Sequence, residues 1–297
     1  MAILELAAIR RSYGGAQPAL RDVSVSVEPG EVLGLIGRSG AGKTTLLRIA
    51  AGLLKADSGA VRVFGLDPWQ HSVEVKRRMG YVAESQAVPP RLSAGALIEL
   101  HRELYPTWDR ELERTLLARL SIPLAKPVAR LSRGEARKVL LLCAIAHRPE
   151  LLILDEPAGG LDPAARREFL ELSIELLTRD GSTILFSSHH MTDVERIASR
   201  LLVIDRGEKL VDSELAAFQQ EHCLALLPRA APLEAERLRA VGGFLRSRSH
   251  HGSLQVVFRR EPHDLKQELA ERLGLSELSI NRLSLEEMFV ALVGADS

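Results

Sequence analysis

The stretch Gly37-Arg38-Ser39-Gly40-Ala41-Gly42-Lys43-Thr44 has the residue types that bind phosphate. Glycine lacks a Cβ, so the backbone around Gly37, Gly40 and Gly42 can turn its N–H groups inward and approach phosphate oxygens closely. The spacing Gly-x-x-x-x-Gly-Lys-Thr lets Lys43 reach the β and γ phosphates of a nucleotide and offers the Thr44 hydroxyl to Mg²⁺. An apolar run, Val32-Leu33-Gly34-Leu35-Ile36, precedes the loop, and Leu46 to Ala51 reads as the helix after it. That helix would add its N-terminal amides and positive dipole end to the same site. A glycine-rich turn that matched by accident would not need both flanks.

A phosphate-bound metal needs a carboxylate. Leu151-Leu152-Ile153-Leu154 runs into Asp155-Glu156-Pro157, which reads as a buried parallel strand whose carboxyl end meets a ligand crevice. There Asp155 would hold Mg²⁺ through water, and Glu156 would polarise the attacking water. Upstream lies Leu131-Ser132-Arg133-Gly134-Glu135, just before the helical run Ala136 to His147. A serine hydroxyl and a glycine amide at a helix N-terminus make a second anion site. Ser132 and Glu135 also have the S-x-x-E spacing of a capping box, and both readings can hold together.

In this order the motifs resemble those of ATP-binding cassette (ABC) proteins, with residues 131 to 135 similar to the LSGGQ signature. The resemblance covers roughly residues 3 to 215. It implies an ATP and Mg²⁺ site built from Gly37, Arg38, Ser39, Gly40, Ala41, Gly42, Lys43, Thr44 and Thr45. It further implies that Tyr13 stacks on adenine, that Asp162 of Gly159-Gly160-Leu161-Asp162 lies on a loop crossing a dimer, and that His189 of Phe186-Ser187-Ser188-His189 bonds the γ phosphate. Two copies packed head to tail would each cap the other's nucleotide with Ser132 and Gly134. The position where many cassettes carry a glutamine that meets the metal or the water falls on Glu84, with Gln86 two residues on. Arg133 replaces the first glycine of the signature, Glu135 its glutamine, and Ala158 a frequent serine or threonine. Glu156 is present, so the expectation is an active ATPase.

The elements that must position these residues read as an α/β fold with a mainly parallel core sheet. Residues 3 to 36 read as short alternating strands, an antiparallel flap carrying Tyr13. Residues 37 to 83 hold the loop, its helix and a strand pair around Ala60 to Phe64. A helical subdomain over about 85 to 148 follows, with Leu97 to Leu100 and Leu112 to Leu120 at helical spacing. Within it, Tyr105-Pro106-Thr107-Trp108-Asp109 resembles a stretch of one bacterial exporter subgroup near where a membrane partner docks. Aromatics packing a helix start read equally well.

Domain boundaries are expected at 1 to 221 for the cassette and 222 to 297 for a small α+β module. In the latter the pattern Leu224 to Leu227, a helix Leu233 to Val241, Phe244 to Arg248, Leu254 to Phe258, a helix His263 to Leu273 and Leu278 to Ile280 suggests a ferredoxin-like βαββαβ. The final stretch, Leu283 to Leu292, is an amphipathic helix resembling the tail of drug-exporter-type cassette subunits.

The 297 residues carry 39 Lys plus Arg and 39 Asp plus Glu, so no global field holds the chain on nucleic acid or anionic lipid. Cys143 and Cys223 cannot make a disulfide framework, which suits a reducing compartment. No signal peptide is read at the N-terminus. The longest unbroken apolar run, Val139 to Ala146, is eight residues, against about 20 for a spanning helix. The reading is therefore the ATP-hydrolysing subunit of an exporter, held at the cytoplasmic face of a membrane by a separate transmembrane permease subunit, with no nucleic-acid partner. The rivals are a soluble ABC ATPase acting on DNA or ribosomes and an inert ATP-binding scaffold.

Overall fold

The computed structural model describes residues 1–293 except 15–16, 85–88, 160, 162–165, 168, 172–173, 176–180, 229–237, 239, 251–252 and 274–278, with the side chains of 248–250, 253 and 272–273 also left undescribed. The chain divides into two compact units, Met1–Asp212 and Ser213–Ser297.

The first unit is built on a sheet of order β5-β6-β7-β3-β8-β9. Its strands are β3 (Val32–Ile36), β5 (Met79–Val82), β6 (Leu151–Asp155), β7 (Thr183–Ser187), β8 (Arg200–Asp205) and β9 (Glu208–Glu214). The pairs β5–β6, β6–β7, β7–β3 and β3–β8 are all parallel. Strands β3, β6 and β7 are buried at every residue, as a parallel sheet covered on both faces requires. This corrects the boundary of the flap. Val32–Ile36 is apolar throughout, so it enters the central sheet. The flap is instead β1 (Leu4–Arg11) between β2 (Leu20–Val27) and β4 (Ser58–Val63), all antiparallel. Its inner residues, among them Leu6, Ile9, Val25 and Val63, pack with Leu46, Leu47 and Ile49 of α1 (Lys43–Ala50) and with Leu35 and Ile153 of the sheet. The helix that follows the phosphate loop is thus clamped between two sheets.

Helix α2 (Ser72–Arg77) precedes β5, and the helical region follows with α3 (Ala94–Leu104), α4 (Arg110–Leu120) and α5 (Arg133–Ile145). Each of the latter three starts on a side-chain cap. Ser93 accepts from the Ala96 N–H, Asp109 from those of Glu111 and Leu112, and Ser132 from that of Glu135. The stretch 105–109 packs a helix start: Tyr105 stacks on His147 and the Trp108 indole donates to Glu113 at 2.7 Å. Helix α6 (Met191–Ile197) packs against β3, where a Cβ on Gly34 would meet Val194 at 2.7 Å.

The second unit starts with α7 (Leu215–Gln220), which runs into β10 (His222–Pro228); the His222 ring bonds the Phe218 carbonyl at 2.7 Å. That contact places α7 with the second unit, so the division falls before residue 213 rather than after 221. Strands β10, β11 (Phe244–His250), β12 (Ser253–Arg259) and β13 (Ser279–Arg282) form an antiparallel sheet of order β11-β12-β10-β13, the ferredoxin-like arrangement. Leu265 and Leu269 of α8 (Pro262–Leu273) pack on Cys223, Ala225, Val256 and Phe258. Most of the helix expected over 233–241 lies outside the described residues; α9 (Leu285–Val293) forms as expected.

Gly80 on β5 faces α5 so closely that an added Cβ would meet the Ala144 carbonyl at 2.3 Å and Leu152 at 2.7 Å. Gly80→Ala is expected to destabilise the first unit by about 1–3 kcal/mol, read from denaturant unfolding.

Candidate functional site

The order of the central sheet explains how residues far apart in sequence meet. Strand β7 lies between β3 and β6, and its register sets Ser187 beside both Leu35 and Asp155. The phosphate loop leaves β3, Asp155 ends β6, and His189 follows β7, so all three arrive at the same carboxyl edge. The result is a cleft of about 430 Å³ lined by Tyr13, Ala19, Ser39, Gly40, Ala41, Gly42, Lys43, Thr44, Thr45, Glu84, Glu156 and His189.

The loop's shape depends on its glycines. Gly42 has φ +108°, and a Cβ there would lie 2.5 Å from the Ala19 carbonyl. Lys43 is nearly buried; its ammonium donates to the carbonyls of Gly37 at 2.9 Å and Arg38 at 3.2 Å, and lies 4.0 Å from Glu156 Oε1. Tyr13, more than half exposed, follows β1 and meets the Thr45 hydroxyl at 3.3 Å, with the Arg11 guanidinium 5.1 Å from its ring centre. A ring so exposed is free to stack on a flat ligand.

Asp155 is fully buried. Its Oδ1 accepts from the hydroxyls of Ser187 at 2.8 Å and Thr44 at 3.1 Å. Its Oδ2 is buried with no hydrogen-bond partner. Burial pushes the carboxyl's pKa up, the two hydroxyl bonds pull it down, and Glu84 and Glu156 push it up further. An orphaned buried carboxylate oxygen beside a threonine hydroxyl fits a hard cation with oxygen ligands. Among the described residues no group of three His, Cys, Asp or Glu could hold a metal alone, so phosphate oxygens would complete such a shell.

Glu156 has φ +47°, a left-handed backbone held by its N–H donating to Ser187 Oγ at 2.8 Å. That twist points the carboxylate into the cleft, where Oε2 accepts from His189 Nδ1 at 2.6 Å and from the His189 N–H at 3.3 Å. Ser187 thus serves both acidic residues, a role that sequence reasoning missed although the residue stands two positions before His189. Arg137 on α5 was missed as well. It is buried and donates to the carbonyls of Ala83 and Glu84, tying the helix opened by Ser132 to the loop that carries Glu84.

The residues expected to serve a second copy's nucleotide lie elsewhere. Ser132 and Gly134 sit at the start of α5 and do not line it; there Ser132 and Glu135 form a capping box. Asp162 and Gln86 lie outside the described residues.

The sequence profile of the ABC transporter family matches residues 20–159. The ABC transporter ATP-binding protein YtrB of Bacillus subtilis (strain 168) is 33% identical over 220 residues, covering 74% of this chain and 75% of that protein. The Nod factor export ATP-binding protein I of Sinorhizobium fredii (strain NBRC 101917 / NGR234) is 31% identical over 299 residues, covering 99% of this chain and 86% of that protein. This chain belongs to the ABC transporter ATP-binding protein family. A solved ATP binding subunit of an ABC transporter shares its cassette fold, with a TM-score of 0.67 at 29% identity over 73% of this chain and 92% of that one. The chain is thus an ATPase subunit of a transporter, and its relatives support that over the soluble DNA- or ribosome-acting alternative.

The buried Asp155 generates a prediction about the cassette's stability. Its folded pKa is raised, so its contribution to stability is full at low pH and falls as pH rises through that raised value. Asp155→Asn removes the buried charge. The variant is expected to melt higher than the parent at neutral pH without nucleotide, with the gap closing as pH falls, in thermal scans from pH 7 to 4.

Proposed function

We propose that this cassette powers an exporter, working as a head-to-tail pair joined to a separate membrane-spanning chain. The observation that carries the proposal is the convergence of Lys43, Thr44, Glu156 and His189 on one cleft, with Asp155 bonded to Thr44 beneath it, while Ser132 and Gly134 stand outside it. A second copy would bring its own Ser132 and Gly134 to cap the nucleotide, and the arrangement is reciprocal.

In this reading Tyr13 stacks on the adenine and the loop amides of residues 39–44 hold the phosphates. Lys43 exchanges its contacts with the carbonyls of Gly37 and Arg38 for phosphate oxygens. Asp155 Oδ2 and the Thr44 hydroxyl would hold Mg²⁺, with Glu84 alongside; when bound it neutralises phosphate charge. Glu156 accepts the proton of the attacking water as the new P–O bond forms and the bond to the ADP oxygen breaks. His189 orients Glu156 and holds the γ phosphate. Closure on ATP and reopening after hydrolysis would drive the membrane chain.

Among the described residues no helix is long and apolar enough to cross a membrane; in this reading the transport pathway belongs to the separate chain, which would hold the cassette at the cytoplasmic face. A groove between the end of α1 and the helical region is lined by Leu53, Tyr81, His101, Tyr105 and Leu140, and supports docking of that chain there. Export is favoured by the Nod factor export relative and by the probable multidrug ABC transporter ATP-binding protein YbhF of Escherichia coli (strain K12), 30% identical over 311 residues that cover 99% of this chain and 52% of that protein. The carboxyl-terminal unit would restrain or stabilise the pair.

Glu156→Gln is expected to retain ATP binding and to lose phosphate release by about 10²–10⁴-fold, as loss of a general base does; unchanged release would reject Glu156 as the base. Turnover per chain of the parent is expected to rise with protein concentration, because one copy holds only part of each site. Removing the second unit, residues 213–297, is expected to change either the turnover or the lifetime of the ATP-bound pair, and an unchanged value of both would leave that unit without a role in the cycle.

A further inference from the structure

The signature loop departs from LSGGQ by gaining one positive and one negative side chain, Arg133 and Glu135. Arg133 is exposed at the first position of α5. Glu135 folds back so that its Oε2 accepts from the Ser132 N–H at 2.6 Å. That bond sets a carboxylate among the same backbone amides that would receive the partner copy's phosphates. A glutamine could make the bond through its neutral carbonyl. A carboxylate makes it while adding a charge of the wrong sign for a phosphate.

The structure answers this with a residue outside the motif. Lys126 Nζ donates to both oxygens of Glu135, at 2.7 and 3.0 Å. Its backbone is fixed on two sides: its N–H donates to the Pro123 carbonyl at 3.0 Å, and its carbonyl accepts from the Ala94 N–H at the start of α3, also at 3.0 Å. Most exposed ion pairs contribute little because two long side chains must be ordered to form them. Here the capping box already orders the carboxylate and the pinned backbone sets the origin of the lysine. The pair holds the Glu135 carboxyl well below the usual carboxylate range, at about 2, first through Lys126 and then through the Ser132 N–H, so it stays ionised and paired at every working pH.

We propose that Lys126 is the positioning residue of the signature loop: by pairing with Glu135 it cancels the added negative charge, so that the Ser132–Gly134 turn can receive the phosphates of the partner's ATP. This rests on the head-to-tail reading above. It predicts that the need for Lys126 exists only because residue 135 is charged.

The test is a mutant cycle on the full chain, with steady-state ATPase measured against ATP concentration at low and high salt. Lys126→Met is expected to lower kcat/KM by about tenfold at low salt, chiefly through KM, and by less at high salt, because the unpaired carboxylate then faces the phosphates and salt screens it. Lys126→Arg is expected to keep the parent's values. Glu135→Gln alone and the double variant Lys126→Met with Glu135→Gln are both expected to stay within about threefold of the parent, since no charge remains to be cancelled. A merely structural bridge would be lost in the double variant as well and would not recover. The proposal is overturned if Lys126→Met stays within about twofold of the parent, or if the double variant is as impaired as Lys126→Met. Ser132→Ala, measured alongside, separates this failure from that of the underlying reading. If Ser132→Ala is impaired and Lys126→Met is not, only the Lys126 assignment falls; if neither is impaired, the head-to-tail reading falls with it.

Discussion

The carboxyl group of Asp155, buried at the end of β6, is the constraint around which the first unit is arranged. A buried charge must be hydrogen-bonded or meet a counter-charge, or it loses its charge. Ser187 and Thr44 satisfy one of its oxygens, and the other is left without a protein partner. Both donors reach it only because β7 lies between β3 and β6, with residue 187 in register with 155. The parallel sheet, the loop after β3 and the clamping of α1 under the flap all serve to bring those two hydroxyls to one buried oxygen. The cost of that burial is borne in exchange for an oxygen that a cation could use.

Glu156 shows how the same serine turns a backbone. With φ +47° the residue sits where most side chains are strained, and such strain persists only where the surroundings over-determine it. Its N–H is bound to Ser187 and its carboxylate to His189, so one turn carries one acid into the sheet and the next out into the cleft. The two acidic residues thereby differ in environment: one buried under hydroxyls, the other against an exposed imidazole and a lysine 4.0 Å away. Adjacent groups in unlike surroundings can take unlike tasks.

Helix α5 links this cleft to the rest of the subunit. Arg137 holds the backbone at Ala83 and Glu84, one turn away from the capping box at Ser132. Arg137 thus joins the loop that carries Glu84 directly to the helix that Ser132 opens. Rigid elements joined by few contacts are what allow ligand binding at one edge to move another edge as a unit. The second unit closes its own core around Phe258, Cys223 and Leu265 in a separate antiparallel sheet.

Sequence alone determined what depends on neighbours along the chain. The loop of residues 37–44 is legible because its glycines, lysine and threonine act within eight consecutive positions. The buried strand ending in Asp155 is legible because a parallel strand must be apolar on both faces, and the Ser132–Glu135 cap because its bonds span three residues. The strands of the second unit are legible as strand-like stretches over 224–227, 244–248, 254–258 and 278–280, while their order in the sheet is not. What only the tertiary structure decided are the contacts made across the sheet or between elements. Val32–Ile36 joins the core rather than the flap because its strand pairs with β7 and β8, far off in sequence. Ser187, Arg137 and Lys126 act on residues brought to them by strand order and helix packing, and serine, arginine and lysine are common residue types whose local sequence carries no mark of that use. Motifs that bind a ligand through their own backbone are written in sequence; side chains that hold other side chains in place are written only in the fold.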